Sequence, residues 1–306
     1  MPLFSTIIPV FNRPALIRTT LDSVLAQEFT DQEIIVVDDG STDDTPATLA
    51  TYGDRIRVLR QANAGPAVAR NLGMRHATGR YLAILDSDDL WFPWTLATYA
   101  EAIRSAVAPA FIAGAHFIFH EESAARSIAR GPVQTVRFAD YLASSGACRW
   151  ISASAFVLRT DAARAVGGFS DEWINSDDAD LALRLGTAAG FVDVQSPATF
   201  AYREHPGSLK SNQEMSFRSL SHMLDQEAAG AYPGGLERRC QRREILTRHV
   251  RPLTLSCLAA GAIGHGWSLY RRTFGWHLAQ GRLKYLGAYP LLTVGQSLGL
   301  NYSSPA

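Results

Sequence analysis

Residues 81–91 read Tyr-Leu-Ala-Ile-Leu-Asp-Ser-Asp-Asp-Leu-Trp, an apolar run that leads into three clustered aspartates. The apolar half predicts a buried strand, and Asp86, Asp88 and Asp89 follow its C-terminal end. Open α/β sheets bind their ligands at this edge. Clustered carboxylates repel one another unless a cation lies between them, so the stretch favours a hard divalent ion that holds a diphosphate. A solvated acidic turn is the simpler alternative.

The charge of the chain is unevenly distributed along its 306 residues, although the formal net charge is zero. Residues 1–214 hold 18 basic and 25 acidic residues, a balance of −7, whereas residues 215–306 hold 11 basic and 4 acidic residues, a balance of +7. The basic part predicts contact with an anionic partner, either a membrane surface or a negatively charged acceptor. The net acidity of the first part disfavours binding to nucleic acid.

Three features of the sequence predict a cytoplasmic setting. The three cysteines are scattered without a CxxC pair, which indicates reduced thiols. The first residues lead directly into a strand with no basic start or cleavage site, so we expect no signal peptide. No apolar run reaches the ~20 residues needed to span a bilayer. We therefore expect a cytoplasmic protein, with peripheral attachment to the inner face of the plasma membrane as an open alternative.

Strands and helices alternate in the first part, which predicts an α/β fold with a mainly parallel, Rossmann-like sheet flanked by helices. Asn12 is the expected N-cap of the first helix and Asp43 or Asp44 that of the second. A soft boundary separates a first domain, 1–212, from a helical C-terminal extension, 213–306. The predicted strands are Phe4–Val10, 33–37, 56–59, 81–85, Phe111–Phe119, 151–158 and two short ones in 191–202; the predicted helices include 65–77, 137–144 and 178–189.

Two other segments carry chemistry suited to a nucleotide. Asp38 and Asp39 end a predicted strand and can accept hydrogen bonds from a base or a ribose, and Gly40 allows a close backbone approach. An ordinary Asp-Gly turn explains the same residues. Residues 63–71 set a glycine turn before a helix that carries Arg70, an arrangement able to bind phosphate. A solvated arginine on an amphipathic helix is the alternative.

An acidic pair, Asp177-Asp178, opens a predicted helix. Carboxylates are favoured at helix starts, so capping alone explains them, and a general base near the donor sugar is the functional alternative. Asp180 lies two positions after Asp178 and should point elsewhere. His205, in a Pro/Gly turn, is a candidate imidazole ligand beside an acidic metal site.

Four segments together resemble the family 2 glycosyltransferases of the GT-A fold. They are residues 5–13, 36–43, 63–71 and 79–89, which occur in the family's order, and the resemblance extends over roughly the first 210 residues. It implies a metal-dependent, inverting hexosyltransferase that uses Mn²⁺ or Mg²⁺ and a nucleotide-diphosphate sugar, expected to be UDP-linked. No Q-x-x-R-W element is present, so we expect one sugar per encounter.

The resemblance also assigns roles to residues. Asp86 and Asp88 match the D-x-D element that holds the metal, and His205 matches a recurring histidine of the family. The second acid of the pair, Asp178, matches the base; the family usually has Glu-Asp, which leaves the role of Asp177 open. The predicted nucleotide-binding residues are Pro9, Val10, Phe11, Asn12, Arg13, Asp38, Asp39, Gly40, Asn63, Gly65, Arg70, Asp86 and Ser87; the predicted acceptor-side residues are Trp150, Gly168 and Phe169.

The expected partners are a nucleotide-sugar donor and a glycan or lipid-linked acceptor, as in surface glycan or polysaccharide assembly, with homo-oligomers left open. Two other functions remain: a non-catalytic nucleotide-sugar-binding protein, and a sugar nucleotidyltransferase, which the absence of a glycine- and lysine-rich phosphate loop disfavours. Residues 236–286 mix basic and aromatic residues, among them Arg242, Trp267 and Tyr270. They predict either a face on the inner membrane leaflet or a helical subdomain packed on the first domain or on a second subunit.

Overall fold

A computed structural model describes residues 1–104, 108–147, 152–172, 175–204 and 212–297. The chain divides into two units. The first contains Met1–Trp173 and Asp177–Pro206, and the second contains Ile174–Ser176 and Gly207–Ala306. His205 and Trp150, predicted as a metal ligand and an acceptor-side residue, lie outside the described residues.

The first unit is built on one sheet, which has nine strands within the described residues. They are β1 (Phe4–Val10), β2 (Gln32–Asp38), β3 (Arg57–Arg60), β4 (Tyr81–Ile84), β5 (Leu90–Trp91), β6 (Phe111–Phe119), β7 (Gln134–Phe138), β8 (Phe156–Arg159) and β9 (Phe191–Arg203). The order is β3-β2-β1-β4-β8-β6-β9-β5, and β7 also pairs with β9. The strands β3, β2, β1 and β4 run parallel, and β8 is antiparallel to β4 and β6.

Helices connect the parallel strands. In the described part of the first unit they are α1 (Pro14–Leu25), α2 (Thr45–Ala50), α3 (Pro66–His76), α4 (Thr95–Arg104), α5 (Glu122–Arg126), α6 (Thr160–Ala165) and α7 (Asp177–Arg184). Each of α1, α2 and α3 has a proline in its first turn, where a missing N–H leaves no helical bond unmade. α1 buries Ile17, Leu21 and Val24 on one face, and each such side chain stabilises the fold by about 1.5–3 kcal/mol.

Two sequence predictions in the second half of the sheet are wrong in detail. Residues 137–144 were expected to be helical, but β7 (Gln134–Phe138) is a strand and only Leu142–Ser144 forms a 3₁₀ turn. The β-branched and aromatic residues of β7 suit an edge of the sheet better than a helix. Residues 191–202 were expected to form two short strands around Pro197, but β9 is continuous. Pro197 is tolerated because the pairing with β6 passes from Val194 to Ala198 and leaves residue 197 unpaired.

The second unit is helical within its described residues. Its helices are α8 (Gln213–Ala228), α9 (Arg239–Ala259), α10 (Ile263–Ala279) and α11 (Leu283–Ser297). Tyr270, Leu286 and Tyr289 form a buried cluster between α10 and α11. Pro290 lies inside α11 and cannot donate to the carbonyl of Leu286; the hydroxyl of Tyr270 donates to that carbonyl instead, at 2.8 Å.

Some of the basic and aromatic residues that predicted a lipid-facing surface are buried inside the second unit. Arg242 is buried and its Nε lies 2.6 Å from Oε2 of Glu227, so this arginine serves the interior of the unit. Tyr270 is also buried, and Trp267 packs against it. None of the helices in the described residues is long and apolar enough to cross a membrane.

Gly79 provides a test of how β4 is positioned. A Cβ added at Gly79 would lie 2.6 Å from the backbone nitrogen of Ser5 and 2.7 Å from the carbonyl carbon of Phe4, so the chain before β4 would have to shift away from β1. We expect Gly79→Ala to lower the free energy of unfolding by about 1–3 kcal/mol, measured by urea denaturation. Gly146→Ala is the matched control because a Cβ there meets nothing within 4 Å. Equal stability of the two variants would contradict this account of the contact.

Candidate active site

The carboxyl ends of three parallel strands bring most of the predicted site residues to one edge of the sheet. In the register of the sheet Val10 pairs with Asp38, and Ile7 pairs with Ile84, two residues before Asp86. The segments that follow β1, β2 and β4 therefore emerge side by side, where an open α/β sheet binds its ligand.

The segment after β1 is held by the segment after β2. The N–H of Asn12 donates to Oγ of Ser41 at 2.9 Å, and Oδ1 of Asn12 accepts from the N–H of Thr42 at 2.8 Å. Asn12 has a φ of +50° and does not cap α1, so the N-cap prediction is wrong; its side chain is used across the loop instead. Phe11 stays 42% exposed, while Pro9 and Val10 are buried in β1.

The two aspartates at the end of β2 are buried and brace loops. Oδ1 of Asp38 accepts from the N–H of Ser41 at 2.9 Å. Asp39 accepts from the N–H of Ala64 at 3.0 Å and of Gly65 at 2.8 Å, and from the side chain of Gln61. The carboxylate of Asp39 therefore holds the turn that precedes α3.

Gly40 is required at this turn. It has a φ of +81°, and a Cβ there would lie 2.8 Å from the backbone nitrogen of Asn63. The loop after β2 and the loop before α3 consequently lie against each other, with Asn63 exposed beside them.

Asp89, the third aspartate of residues 86–89, holds the turn in place. Asp89 is buried; its Oδ2 accepts from Oγ of Ser154 at 2.6 Å and its Oδ1 from the N–H of Arg203 at 3.0 Å. Burial, and then the charges of Asp88 and Asp86, raise the pKa of Asp89 well above its usual value. Oγ of Ser154 also accepts from the N–H of Asp86 at 3.1 Å, so one hydroxyl fixes both ends of the turn.

Arg203 fastens the same turn from β9. Its Nε donates to the carbonyl of Asp88 at 2.9 Å and its Nη2 to Oε1 of Glu122 at 2.8 Å, while the guanidinium lies 4.7 Å from the ring centroid of Phe119. Sequence reasoning did not identify Ser154 or Arg203. Nothing in the local sequence around Ser154 marks it, whereas Arg203 lies two residues before the singled-out His205.

A buried arginine joins the acidic turn to the acidic pair. Nη2 of Arg70 lies 2.5 Å from Oδ1 of Asp86, and its Nη1 lies 2.6 Å from Oδ2 of Asp177. Its guanidinium also lies 5.1 Å from the ring centroid of Phe169. Burial alone would lower the pKa of Arg70, but the charges of Asp86 and Asp177 outweigh it and raise the pKa. Arg70 therefore stays charged and binds both carboxylates.

The two residues of the acidic pair have different surroundings. Asp177 is buried and ion-paired with Arg70, whereas Asp178 is partly exposed; Oδ2 of Asp178 accepts from the N–H of Ala153 at 3.2 Å. Burial, followed by the charge of Asp177, raises the pKa of Asp178 to about 7. Asp180 points elsewhere, as predicted, and pairs with Nε of Arg184 at 2.7 Å. Asp178 is thus a carboxylate that can take up a proton near neutral pH.

The glycine turn before the acidic pair is fixed by α3 and α7. Nδ2 of Asn71 donates to the carbonyl of Phe169, and the N–H of Phe169 donates to Oδ1 of Asn71, both at 2.8 Å. Nη1 of Arg184 donates to the carbonyl of Gly168 at 2.6 Å. The ring of Phe169 is buried against the guanidinium of Arg70. Phe169 therefore supports Arg70 and exposes almost no surface of its own.

The residues present fit a hard divalent cation by the chemistry of their donors. Asp86 and Asp88 are carboxylates whose side chains are 28% and 15% exposed, and carboxylate oxygens are the ligands that Mg²⁺ and Mn²⁺ prefer. Each contributes one oxygen to an arginine: Asp86 to Arg70, and Asp88 to Nη1 of Arg13 at 2.5 Å. Among the residues that the structure describes, which exclude His205, no three His, Cys, Asp or Glu side chains group as a metal site.

Comparison with known proteins relates part of the chain to glycosyltransferases. The family model for glycosyl transferase family 2 matches residues 5–149. The chain is 47% identical over 94 residues to a putative teichuronic acid biosynthesis glycosyltransferase, TuaG, of Bacillus subtilis, which is 29% of this chain and 37% of TuaG. It is 44% identical over 92 residues to an uncharacterized glycosyltransferase, YibD, of Escherichia coli, which is 29% of this chain and 27% of YibD. These matches span well under half of the relatives' lengths.

The fold itself is shared with solved structures. TarS of S. aureus, residues 1–349 in complex with UDP, superposes with a TM-score of 0.63 at 19% identity over 99% of this chain and 94% of that chain. The mannosyltransferase PcManGT of Pyrobaculum calidifontis, in complex with GDP-Man and Mn²⁺, gives 0.51 at 20% identity over 97% and 84%.

The sheet, its acidic edge and these likenesses define an α/β protein of the GT-A fold with C-terminal helices. More specifically, residues 5–149 match the family model for glycosyl transferase family 2, in agreement with the resemblance of the motifs.

The raised pKa of Asp178 makes stability depend on pH. The unfolded chain releases this proton near pH 4 and the folded chain near pH 7, so the stabilising contribution is complete below pH 4 and is lost as pH rises to 7. Asp178→Asn cannot titrate, so we expect its stability relative to the native chain to rise across this window, by about 1–2 kcal/mol because the side chain is partly exposed.

Urea denaturation at half-unit pH steps measures this difference. Asp171→Asn, a substitution at an exposed aspartate of the same unit, is the control for lost charge. A constant difference between Asp178→Asn and the native chain from pH 4 to pH 8 would show that the surroundings of Asp178 do not hold its proton.

Proposed function

We propose that this chain is an inverting hexosyltransferase that moves one sugar from a nucleotide-diphosphate donor, a UDP-sugar, to an acceptor hydroxyl. The observation that carries the proposal is Asp178. It is a partly exposed carboxylate with a pKa raised to about 7, and it lies beside the Asp177–Arg70–Asp86 network. General bases are most effective when their pKa lies near the working pH.

In the proposed reaction Asp178 accepts the proton of the acceptor hydroxyl as its oxygen bonds to the anomeric carbon. The bond from that carbon to the diphosphate oxygen breaks at the same time, and the nucleoside diphosphate leaves with the electron pair. Attack opposite the leaving group inverts the anomeric centre. Asp177 has a different role: its ion pair with Arg70 keeps this arginine in place between the two acidic segments.

The donor's diphosphate is proposed to lie near Asp86 and Asp88. A Mn²⁺ or Mg²⁺ ion held by these carboxylates would offset the charge that develops on the departing diphosphate, an effect worth several kcal/mol. Arg13 and Arg70 already contact the same carboxylates, and their guanidinium groups are suited to phosphate oxygens. His205 remains a proposed further ligand.

The nucleoside is proposed to bind over the loops that follow β1 and β2. Phe11 exposes its ring there, and Asp39 fixes the turn that leads through Gly65 into α3. TarS with UDP and with UDP-GlcNAc, and PcManGT with GDP-Man and Mn²⁺, support a nucleotide-sugar donor and a divalent ion. The two TarS complexes support UDP as the nucleotide of the donor.

The acceptor is proposed to be a glycan or lipid-linked hydroxyl in surface polysaccharide assembly at the inner face of the plasma membrane. The name of TuaG, which refers to teichuronic acid biosynthesis, supports this class of process. The region 1–212 would provide the nucleotide-sugar site, and 213–306 would provide packing, oligomer or membrane contacts.

We expect Asp178→Asn to reduce turnover by ~10²–10⁴-fold, the usual contribution of a general base, with the dissociation constant for UDP unchanged. Donor hydrolysis and transfer to a hydroxyl acceptor are measured as UDP release, and kcat of the native enzyme should rise with pH towards about 7. Asp171→Asn should match the native enzyme. Weakened UDP binding with intact turnover would remove Asp178 from the role of base. A native chain that binds UDP but never turns over donor would identify a nucleotide-sugar-binding protein.

Calorimetry with UDP, GDP, CDP and dTDP, in Mn²⁺ and in EDTA, tests the donor site. We expect one diphosphate to bind in a metal-dependent manner, and Asp88→Ala to abolish the difference between Mn²⁺ and EDTA. Asp54→Ala removes an exposed aspartate of the same unit and is the control. Unchanged affinity of Asp88→Ala in Mn²⁺ would refute a ligand role for Asp88. Formation of a nucleotide-sugar from a nucleoside triphosphate would favour a nucleotidyltransferase instead.

A further inference from the structure

We infer that the outward faces of α10 and α11 bind the surface of an anionic lipid bilayer. The hairpin face, as we call it, consists of Phe274 and Leu278 of α10 and Leu283, Leu291 and Val294 of α11, with Arg271 and Lys284 beside them. The inference identifies the surface by which the protein would bind a membrane. It rests on the proposed function only for the expectation that the protein works at a membrane. Vesicle binding needs neither donor nor acceptor, so catalysis and lipid binding can fail separately.

The hairpin face concentrates exposed apolar side chains. Within the described residues ten large hydrophobic side chains are exposed, and five of them belong to this face, with exposed fractions from 43% to 74%. Single exposed hydrophobic residues are ordinary, but a cluster on two successive helices indicates an interaction surface.

The spacing of these residues shows that they share a side of each helix. On α11, Leu283, Leu291 and Val294 follow a spacing of eight and three residues, which returns to one face of a helix. Leu286 and Tyr289 lie on the other side and are buried. The helix therefore has two apolar sides, one packed and one exposed. Packing within the unit explains why the first side is apolar but does not explain the second.

α10 repeats this arrangement. Phe274 and Leu278 lie four residues apart on its exposed side, and Arg271 precedes them by one turn. Thr273 and His277 are fully buried on the other side. Both helices thus present leucine or phenylalanine outward next to a cation, the composition of helices that lie in a membrane interface.

The charge around the hairpin face selects an anionic partner. No acidic residue follows Glu244 in the sequence, so none lies on α10 or α11. Two of the earlier acids are already engaged: Oδ1 of Asp225 lies 2.5 Å from Arg272, and Glu227 pairs with Arg242. Arg271 and Lys284 are exposed. Basic residues near an anionic membrane strengthen binding to it.

The same charges disfavour a second copy of the chain as the partner. A two-fold dimer through the hairpin face would place identical arginines and lysines near one another across the interface. A bilayer with anionic headgroups neutralises them and also accepts the leucines below the headgroup level.

Vesicle flotation of the full chain tests the inference, with vesicles of phosphatidylcholine alone and vesicles in which about a third of the lipid is phosphatidylglycerol. We expect flotation with the anionic vesicles, and a decrease as salt rises because surface charges are screened. The paired substitutions Leu291→Ser with Val294→Ser, and Arg271→Glu with Lys284→Glu, should each reduce the bound fraction at least ~10-fold.

Two variants are matched controls in the same unit. Leu236→Ser removes an exposed leucine outside the hairpin face, and Arg218→Glu reverses an exposed charge on α8. Both should float like the native chain. Circular dichroism and UDP calorimetry on every variant show that the fold and the donor site are intact.

Three results would overturn the inference. One is equal flotation of the hairpin-face variants and the controls, and another is equal binding to neutral and anionic vesicles. The third is a dimer in lipid-free sedimentation that Leu291→Ser with Val294→Ser converts to monomer, since a second copy would then be the partner. A chain that floats as expected but binds no nucleotide would leave the inference standing and refute the proposed function.

Discussion

The candidate site depends on one buried cation, the guanidinium of Arg70. Arg70 lies in the second turn of α3. It binds Asp86, which follows β4, and Asp177, which begins α7. These segments are far apart in the chain, and both carry negative charge that would drive them apart without the arginine. A buried ion pair of this kind adds little net stability, because desolvation offsets much of the attraction, but removing one partner leaves an uncompensated charge. Arg70 therefore determines how the acidic segments meet, more than how stable the fold is.

The carboxylates near this arginine divide into buried ones, which hold loops of the protein, and partly exposed ones. Asp38, Asp39 and Asp89 are buried and accept hydrogen bonds from loops of the protein. Asp88 and Asp178 are partly exposed. In the sequence all of these residues are acids next to turns. They differ in how far each side chain is buried, which only the structure shows. The surroundings of Asp177 and Asp178 likewise give adjacent aspartates different properties, since only the first is ion-paired with Arg70.

Local patterns predicted the parts of the fold that local physics controls. The bounds of β1 and β6 agree with the apolar runs at Phe4–Val10 and Phe111–Phe119, and the prolines of α1, α2 and α3 mark their helix starts. Contacts between distant segments could not be read in this way. Ser154 is important because the chain brings it to Asp86 and Asp89, and Arg242 is buried because Glu227 lies opposite it. β9 continues past Pro197 only because the neighbouring strand leaves that residue unpaired. In each case the partner lies beyond the range of periodicity or capping rules.

Because α7 is attached at both ends, it becomes ordered when the chain folds and not when a ligand binds. Its first turn is held through Asp177 by Arg70, and its last residue, Arg184, is tied to Asp180 and to the carbonyl of Gly168. Asn71 fixes the next residue of that glycine turn. The helix that carries Asp178 is thus immobilised when the chain folds, and the conformational entropy of ordering it is lost at that stage. In the proposed reaction an acceptor that reaches Asp178 would meet a preorganised carboxylate, so its binding free energy would remain available for orienting the attacking hydroxyl.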